Sequence, residues 1–431
     1  MSATLFNAFL TGVLIFSIYV SILMYYNLFL SLFGYGTAKR DYEIIPDQTR
    51  FLILIAAHNE EAVIASTVEN LRLIDYNKEL FDIVVVNDNS TDGTKAECER
   101  VGVLHVNTDE GKFPREAVGK PGGLQYAVRS LGFEKIMEKY EMVLILDADN
   151  HVDSNILKEI NSQYIAKGKP DAIQTYLDSK NYGKMLSLGY AMSYVNTNRF
   201  FQLSKYRLGL PNALGGTGFA VTTKYLIGSG GFNYKSLTED LEMEVEIVCN
   251  GGKVLWNHFT RIYDEKPEEL RMSIRQRTRW MQGHWFVAFT YGGRLLTSFF
   301  KEFKWKYIDQ MIYLFAIGKS FQAIFLVLSF LFSAFCMIFG VNNALSSYVT
   351  TRLYTSIFSI TGVSILLFIY AILWQSFYAL RKDSNIKFSW KIIIAIYYYA
   401  YTFLYCQIVG LLKWRQQKTW VKTEHKYKEK Q

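Results

Sequence analysis

The sequence predicts an α/β domain on a parallel sheet, set among helices apolar enough to cross a bilayer. Three observations carry this expectation. The short runs Phe51-Leu52-Ile53-Leu54-Ile55-Ala56, Ile83-Val84-Val85-Val86 and Met142-Val143-Leu144-Ile145-Leu146 each end in a polar cluster, as strands buried on both faces do. Segments with helical spacing separate them, and strand–helix alternation implies a parallel sheet with helices on its faces. Long apolar stretches then bracket this region at both ends of the chain.

Taken in order, residues 1–37 contain no charge, and 5–32 is long enough to span a bilayer with tilt. A cleaved signal fits poorly, because a basic start is missing and the apolar run outlasts a short signal core. Lys39 and Arg40 follow directly, so residues 1–38 read as an uncleaved anchor with the next domain in the cytosol. That domain is expected over 39–283. Within it 62–74 and 94–101 have helical spacing, 103–106 reads as extended, and 122–140 reads as one longer amphipathic helix. Thr238 is expected to cap the helix that follows it. Residues 185–208 and 284–306 mix aromatics with polar residues; interfacial amphipathic helices and ordinary packed helices both fit them. The 307–412 region holds three more apolar stretches, about 320–341, 353–378 and 392–412, and 413–431 is a basic tail. Three crossings after a cytosolic domain would put that tail outside, against the charge rule. Three resolutions stand open: one stretch lies at the interface, an extra crossing follows Tyr307, or the tail is external.

Composition agrees with two regimes in one chain. Of 431 residues 50% are hydrophobic and 16% aromatic, yet 20% are charged, more than a uniformly apolar transporter carries. The net charge of +8 is partly gathered in the tail. No groove-reading module accompanies it, so nucleic acid is not an expected partner. Cys98, Cys249, Cys336 and Cys406 are scattered without a C-x-x-C pair, which argues against a zinc site or a disulfide framework.

In a parallel sheet, ligands bind beyond the carboxyl ends of the strands. His58-Asn59-Glu60, Asp88 and Asp147/Asp149 all fall at that edge. Two carboxylates at i, i+2 past a strand can offer oxygens to Mg²⁺ or Mn²⁺, with a nucleoside diphosphate completing the shell; an acidic turn is the other reading. Asp88 either accepts hydrogen bonds from a base or ribose, or forms an Asx turn. Lys120, before Pro121-Gly122-Gly123 and a helix start, can reach a phosphate, although Walker spacing is missing. Thr238-Glu239-Asp240 offers a carboxylate base for an acceptor hydroxyl, with Asp240 the candidate; an acidic first turn suited to the helix dipole is the alternative. Gln276-Arg277-Thr278-Arg279-Trp280 puts Gln276 and Arg279 on one helix side. Arg279 can clamp a diphosphate and Trp280 can face a sugar ring, unless this is simply a basic amphipathic helix near a membrane.

In combination and order, the strand-end Asp, DxD, TED and QxxRW motifs resemble the processive family 2 glycosyltransferases, the group of cellulose, hyaluronan, chitin and poly-N-acetylglucosamine synthases. The resemblance covers roughly residues 51–285 and the membrane layout around them. It implies an α/β GT-A-type domain with interfacial helices under a transmembrane region, at the plasma membrane, multi-pass, with the catalytic domain cytoplasmic. It implies a UDP-sugar donor, Mg²⁺ or Mn²⁺, a growing polysaccharide acceptor, membrane lipids around the helices and accessory secretion subunits as partners. By the same resemblance Asp88 contacts uridine, Asp149 with Asp147 binds metal and diphosphate, and Asp240, beside Glu239, is the base. Glu60, Lys120, Gln276 and Arg279 join the donor site, while Thr238 and Trp280 meet the acceptor. The chain departs from cellulose synthases at 212–219, where those enzymes carry a Cys-containing loop. It departs from hyaluronan synthases in having Thr-Glu-Asp for Gly-Asp-Asp, and it has no room for a PilZ-like domain. UDP-glucose with a β-glucan product is the first expectation and UDP-N-acetylglucosamine the next. A single transfer to a lipid, or a transporter with a nucleotide-binding domain, are the alternatives. Residues 420–425 read as a gating segment over the donor or as a solvated tail.

Overall fold

The computed structural model describes residues 3–114, 117–316, 318–339 and 348–417. Eight strands form one sheet: β1 Phe51–Ala57, β2 Phe81–Asn87, β3 Leu104–Asn107, β4 Met142–Asp147, β5 His151–Val152, β6 Ala172–Ser179, β7 Phe219–Thr222 and β8 Val254–Asp264. Their order is β3-β2-β1-β4-β7-β6-β8-β5. The expected parallel core is there, with β1 between β2 and β4 and β3 beside β2. The sheet as a whole is mixed, because β7 runs antiparallel to both β4 and β6. The chain re-enters the sheet from its carboxyl edge, where Gly218 N donates to Ile145 O at 2.8 Å, and so has to run backwards.

Alternate strand residues feed two apolar layers. Ile53, Ile55, Val85, Leu144 and Leu146 pack with residues of α2 (Ile64–Arg72), α3 (Thr94–Arg100) and a later helix. Leu52, Leu54, Val84, Val143 and Ile145 pack on the opposite side with α4 (Lys120–Leu131). Each such side chain contributes about 1.5–3 kcal/mol on full burial. The helix expected over 122–140 is two helices, because Gly132 sits at φ 87° between α4 and α5 (Phe133–Lys139), a conformation that costs glycine little. Then come α6 (Ile156–Ala166), which completes the first layer, α7 (Met185–Thr197), α8 (Ser204–Arg207), α9 (Thr223–Gly228) and α10 (Glu239–Cys249). Met243 and Ile247 of α10 join the second layer. The 33-residue α11 (Leu270–Glu302) runs unbroken through the expected domain boundary at 283.

Among the described residues four helices are long and apolar enough to cross a membrane: α1 (Ala3–Leu32), α13 (Lys319–Ile338), α14 (Tyr348–Asp383) and α15 (Trp390–Leu412). The intervening α12 (Trp305–Phe315) has 11 residues, about 17 Å of helix, too short for the extra crossing considered after Tyr307. Helices α1, α13 and α14 pack on one another. Phe6 and Leu10 meet Cys336, Tyr354 and Ile357, and Ser21 Oγ lies 2.9 Å from Ser364 Oγ. At its other end α14 reaches the sheet domain, where Asp383 lies 3.3 Å from both Arg199 and His258.

Helix α15 behaves differently. It lies lengthwise on α7 and α11, with Gly189 against Ala395 O and Gly410 against Met281. Ile392, near its start, packs with Met192 and Leu380. Just past its end Gln417 Oε1 accepts from Leu237 N at 2.7 Å, and Gln417 Nε2 donates to Gln282 O at 3.2 Å. Both ends of α15 therefore touch the sheet domain. Trp390, Ile394, Tyr397, Tyr401, Tyr405 and Ile408 form one exposed stripe along it. The expected end of the second span at 341 and the 420–425 segment lie outside the described residues.

Candidate functional site

At the carboxyl edge of the sheet lies a cleft of ≈ 420 Å³. The sequence-predicted residues all line it: Glu60 after β1, Asp88 after β2, Lys120 at the start of α4, and Asp147 and Asp149 at β4. Thr238, Glu239 and Asp240 come from the start of α10, and Gln276, Arg279 and Trp280 from α11. Residues from six separate chain segments thus converge, as the topology requires.

The strand-end side is held by short polar links. Asn59 takes φ 57° and its Oδ1 accepts from Thr91 N at 2.6 Å, joining the loops after β1 and β2. His58 Nδ1 lies 2.6 Å from Asp88 O, so Nδ1 carries the proton. Thr108 Oγ1 donates to Asp88 Oδ1 at 2.8 Å. A side chain at Gly123 would bring its first carbon 3.1 Å from Asp88 Cγ; the glycine leaves room for the carboxylate. Asp147 N donates to Asn150 Oδ1 at 2.9 Å, which fixes the turn, and Glu265 N donates to Asp149 Oδ2 at 2.8 Å. Lys120 Nζ donates to Asp147 Oδ1 at 2.5 Å and Gly216 O at 2.6 Å. Burial pulls this ammonium down, but Asp147, Glu239 and Asp240 outweigh it and hold it above its ordinary value.

Across the cleft, Glu239 and Asp240 open α10. Burial pushes Glu239 up to about 7, Asp240 adding to the effect and Lys120 opposing it. Burial raises Asp240 as well, against Lys120 and Arg279. Thr238 holds the N-cap position, but its side chain makes no cap bond, contrary to expectation. Helix α11 crosses so close that a carbon added at Gly283 would fall 2.7 Å from Thr238 N. The segment before the helix is held instead by Glu242 Oε2, which accepts from Lys235 N at 3.0 Å and Ser236 N at 2.8 Å.

On α11, Tyr190 OH donates to Gln276 Oε1 at 3.2 Å, and Trp280 meets Tyr190 edge-on at 6.3 Å. Burial lowers Arg279 while Glu239, Asp147 and Asp240 oppose it; a guanidinium stays charged regardless. Arg277 faces away. It is fully buried and donates to Tyr399 O and Thr402 Oγ1, each at 2.9 Å.

Several lining residues escaped the sequence reading: Tyr194, Asp264, His284, Tyr313 and Phe403. Burial pushes Asp264 up to about 6, with Lys266 opposing and Asp149 adding. A signal for it existed, since Asp264-Glu265-Lys266-Pro267 closes an alternating run as Asp147 closes β4. Tyr313 and Phe403 had none, because α12 and α15 deliver them from far along the chain.

Cations and near-neutral carboxylates facing one another suit a reaction in which an anionic group leaves and a hydroxyl loses its proton. The comparisons agree with this chemistry. Over 426 residues the chain is 23% identical to the probable glycosyltransferase YdaM of Bacillus subtilis, covering 94% of this chain and 95% of that protein. Over 231 residues it is 26% identical to the beta-monoglucosyldiacylglycerol synthase of Nostoc sp., 54% of this chain but 48% of that one, about half its length. Over 327 residues it is 23% identical to the poly-beta-1,6-N-acetyl-D-glucosamine synthase of Staphylococcus aureus, covering 76% and 75%. Among solved structures, the mannosyltransferase PcManGT of Pyrobaculum calidifontis, in complex with GDP-Man and Mn²⁺, shares the fold with a TM-score of 0.52 at 17% identity, over 84% of this chain and 98% of that one. That likeness is to a GT-A-type sheet domain followed by helices. Residues 46–283, more than half of the chain, match the family described as glycosyltransferase like family 2, and the chain is a glycosyltransferase of that family.

Proposed function

We propose that this enzyme is a membrane-embedded, inverting, processive polymerase of a UDP-sugar. One observation carries the reading: the cleft sets Glu239 and Asp240 opposite Lys120, Asp147 and Arg279, and its remaining wall comes from Tyr313 and Phe403 on membrane-side helices. Donor chemistry and a membrane-level acceptor thus meet in one space. Asp88 and Glu60 receive the nucleoside, and Lys120 and Arg279 hold the diphosphate. Asp240 takes the proton of the acceptor hydroxyl as that oxygen attacks the anomeric carbon from the face opposite UDP. The anomeric C–O bond to UDP breaks, and its charge stays with Lys120 and Arg279. Thr238 and Trp280 meet the acceptor sugar.

Asp147 and Asp149 present hard carboxylate oxygens, and Asp147 already holds a cation in the Lys120 ammonium. Among the described residues no three His, Cys, Asp or Glu cluster as metal ligands. Two carboxylates completed by diphosphate and water are the habit of Mg²⁺ or Mn²⁺, which would neutralise charge on the departing diphosphate.

The packing also supports an orientation. We place α1, α13 and α14 across the plasma membrane, the sheet domain on the cytoplasmic side, and α15 at the interface. Its stripe of tyrosines with Trp390 suits the headgroup layer. Both ends of α15 then lie inside, and the basic tail obeys the charge rule. Three close-packed crossings leave export of a polymer to further helices, from accessory secretion subunits. UDP-glucose, giving a β-glucan, is the donor to test first, and likeness to the poly-beta-1,6-N-acetyl-D-glucosamine synthase puts UDP-N-acetylglucosamine second.

A second reading, one transfer to a lipid, draws on the same membrane-level wall and on likeness to the beta-monoglucosyldiacylglycerol synthase. Product size decides. Purified protein in lipid nanodiscs with Mg²⁺ or Mn²⁺ and a panel of UDP-sugars should release UDP and yield a ladder of long products. A single glucosylated lipid establishes the second reading, and UDP release without any glycosylated product removes both.

A further inference from the structure

One turn below Asp240, α10 carries a carboxylate with no place in the reaction just described. Glu244 is fully buried. Its Oε2 accepts from Leu214 N at 3.0 Å, and its Oε1 accepts from Gln310 Nε2 of α12 at 2.5 Å. Burial pushes it up to about 8, with Lys205 opposing. Taking a carboxyl out of water is costly unless its hydrogen bonds are made, so what those bonds hold is the question.

Leu214 leads into Gly215-Gly216-Thr217. Gly216 takes φ 79°, and its carbonyl is one of the two acceptors of Lys120 Nζ. A carbon added at Gly216 would stand 3.4 Å from Asp240 Oδ2. The turn therefore lies between base and ammonium and touches both. Gln174 steadies it from the sheet, accepting from Gly215 N at 2.8 Å and donating to Thr217 O at 2.9 Å. Glu244 steadies it from α10 and passes the restraint to α12. There Asp309, next to Gln310, lies 2.8 Å from the buried Lys205 Nζ and accepts from Tyr26 OH of α1 at 2.7 Å.

We propose that Glu244 is a positioning residue for the donor. It fixes the Leu214 backbone, and through Gly216 O it aims Lys120 at the diphosphate. This rests on the assignment of Lys120 to the diphosphate made above. Because Glu244 acts through Lys120, its removal should matter only while Lys120 is present.

A double-mutant cycle on the full chain, read by calorimetric UDP binding, tests this. E244A should weaken UDP binding on the order of tenfold, yet by less than about twofold in a K120A background. E244Q should stay within about threefold of wild type, because its amide oxygen still accepts from Leu214 N, and Gln310 can flip to accept from its NH₂. Should E244A fail to fold, Q310A removes the donor that aims Glu244 and carries the same cycle with an effect of about threefold. Equal losses with and without Lys120, or E244Q as weak as E244A, overturn the proposal. A wild-type protein that binds no UDP removes the donor assignment itself, a separate result from additivity with UDP binding intact.

Discussion

Arg277 and Arg279 stand two residues apart on α11 and serve opposite faces of it. Arg277 points to α15, its charge spent on Tyr399 O and Thr402 Oγ1 and on the ring of Tyr399, whose centroid lies 4.8 Å away. Arg279 points to the cleft, where its Nε has no hydrogen-bond partner among the described residues and acids gather around it. One face is a satisfied joint. The other leaves a buried donor unmade, at some cost to the fold, which on the function proposed above a ligand completes. Side chains of one type, almost adjacent in sequence, are thus divided between architecture and chemistry by the 100° step of the helix.

This contrast can be broken or sharpened by substitution. Changes on the cleft face should cost turnover and spare folding, and changes on the α15 face should do the reverse. Asp240→Asn should be the most severe, lowering turnover by about 10²–10⁴-fold with calorimetric UDP affinity within about threefold of wild type; retained turnover would remove Asp240 as base. Arg279→Met should lower kcat/KM for the donor about 10²-fold at a melting temperature no lower than wild type. Trp280→Ala should weaken acceptor use by up to about tenfold and shorten the products on a gel; unchanged length would argue against acceptor stacking. Arg277→Met should instead cost about 1–3 kcal/mol of stability, read as earlier melting, while turnover per folded molecule stays near wild type. The smallest effect is a pH dependence. Glu239 stands higher folded, at about 7, than its ordinary 4.5, so folding takes up a proton. Its contribution to stability falls as pH rises between those values. Melting temperatures of Glu239→Gln should lack that decline, gaining a few degrees over wild type at pH 8.

How much could be read in advance follows the same division. Strands β1, β2 and β4 were legible because apolar runs buried on both faces end abruptly in Asn, Asp and Glu. The candidate site was legible through those endings and the spacing from Gln276 to Trp280. Strands β6, β7 and β8 were not read. β6 and β8 bury Gln174, Thr175, Asn257 and Thr260 where the pattern asks for apolar residues. Gln174 Nε2 donates to Thr217 O, Thr175 Oγ1 to Gly218 O, and Asn257 Nδ2 to the side chains of Tyr42 and Gln163, and no local pattern records such partners. Asp264 was lost with its strand. The apolarity of α15 was legible, but its contacts with α7 and α11 were not, because composition states what a helix tolerates and neighbours decide what it packs against.

Those neighbours also restrict how α15 can move. Gly189 seats it at Ala395 and Met281 seats it at Gly410, contacts 15 residues apart, about 22 Å along the axis. Two backbone-close bearings on two different helices prevent the rod from rolling about its own axis, so its tyrosine row keeps one angle. Pressure from that side is then delivered as torque to α7 and α11, the helices that carry Tyr190 and Trp280. In mechanical terms α15 is a keel bolted to the cleft wall, and a push on its exposed tyrosine row is a load carried to the helices that bear Tyr190 and Trp280.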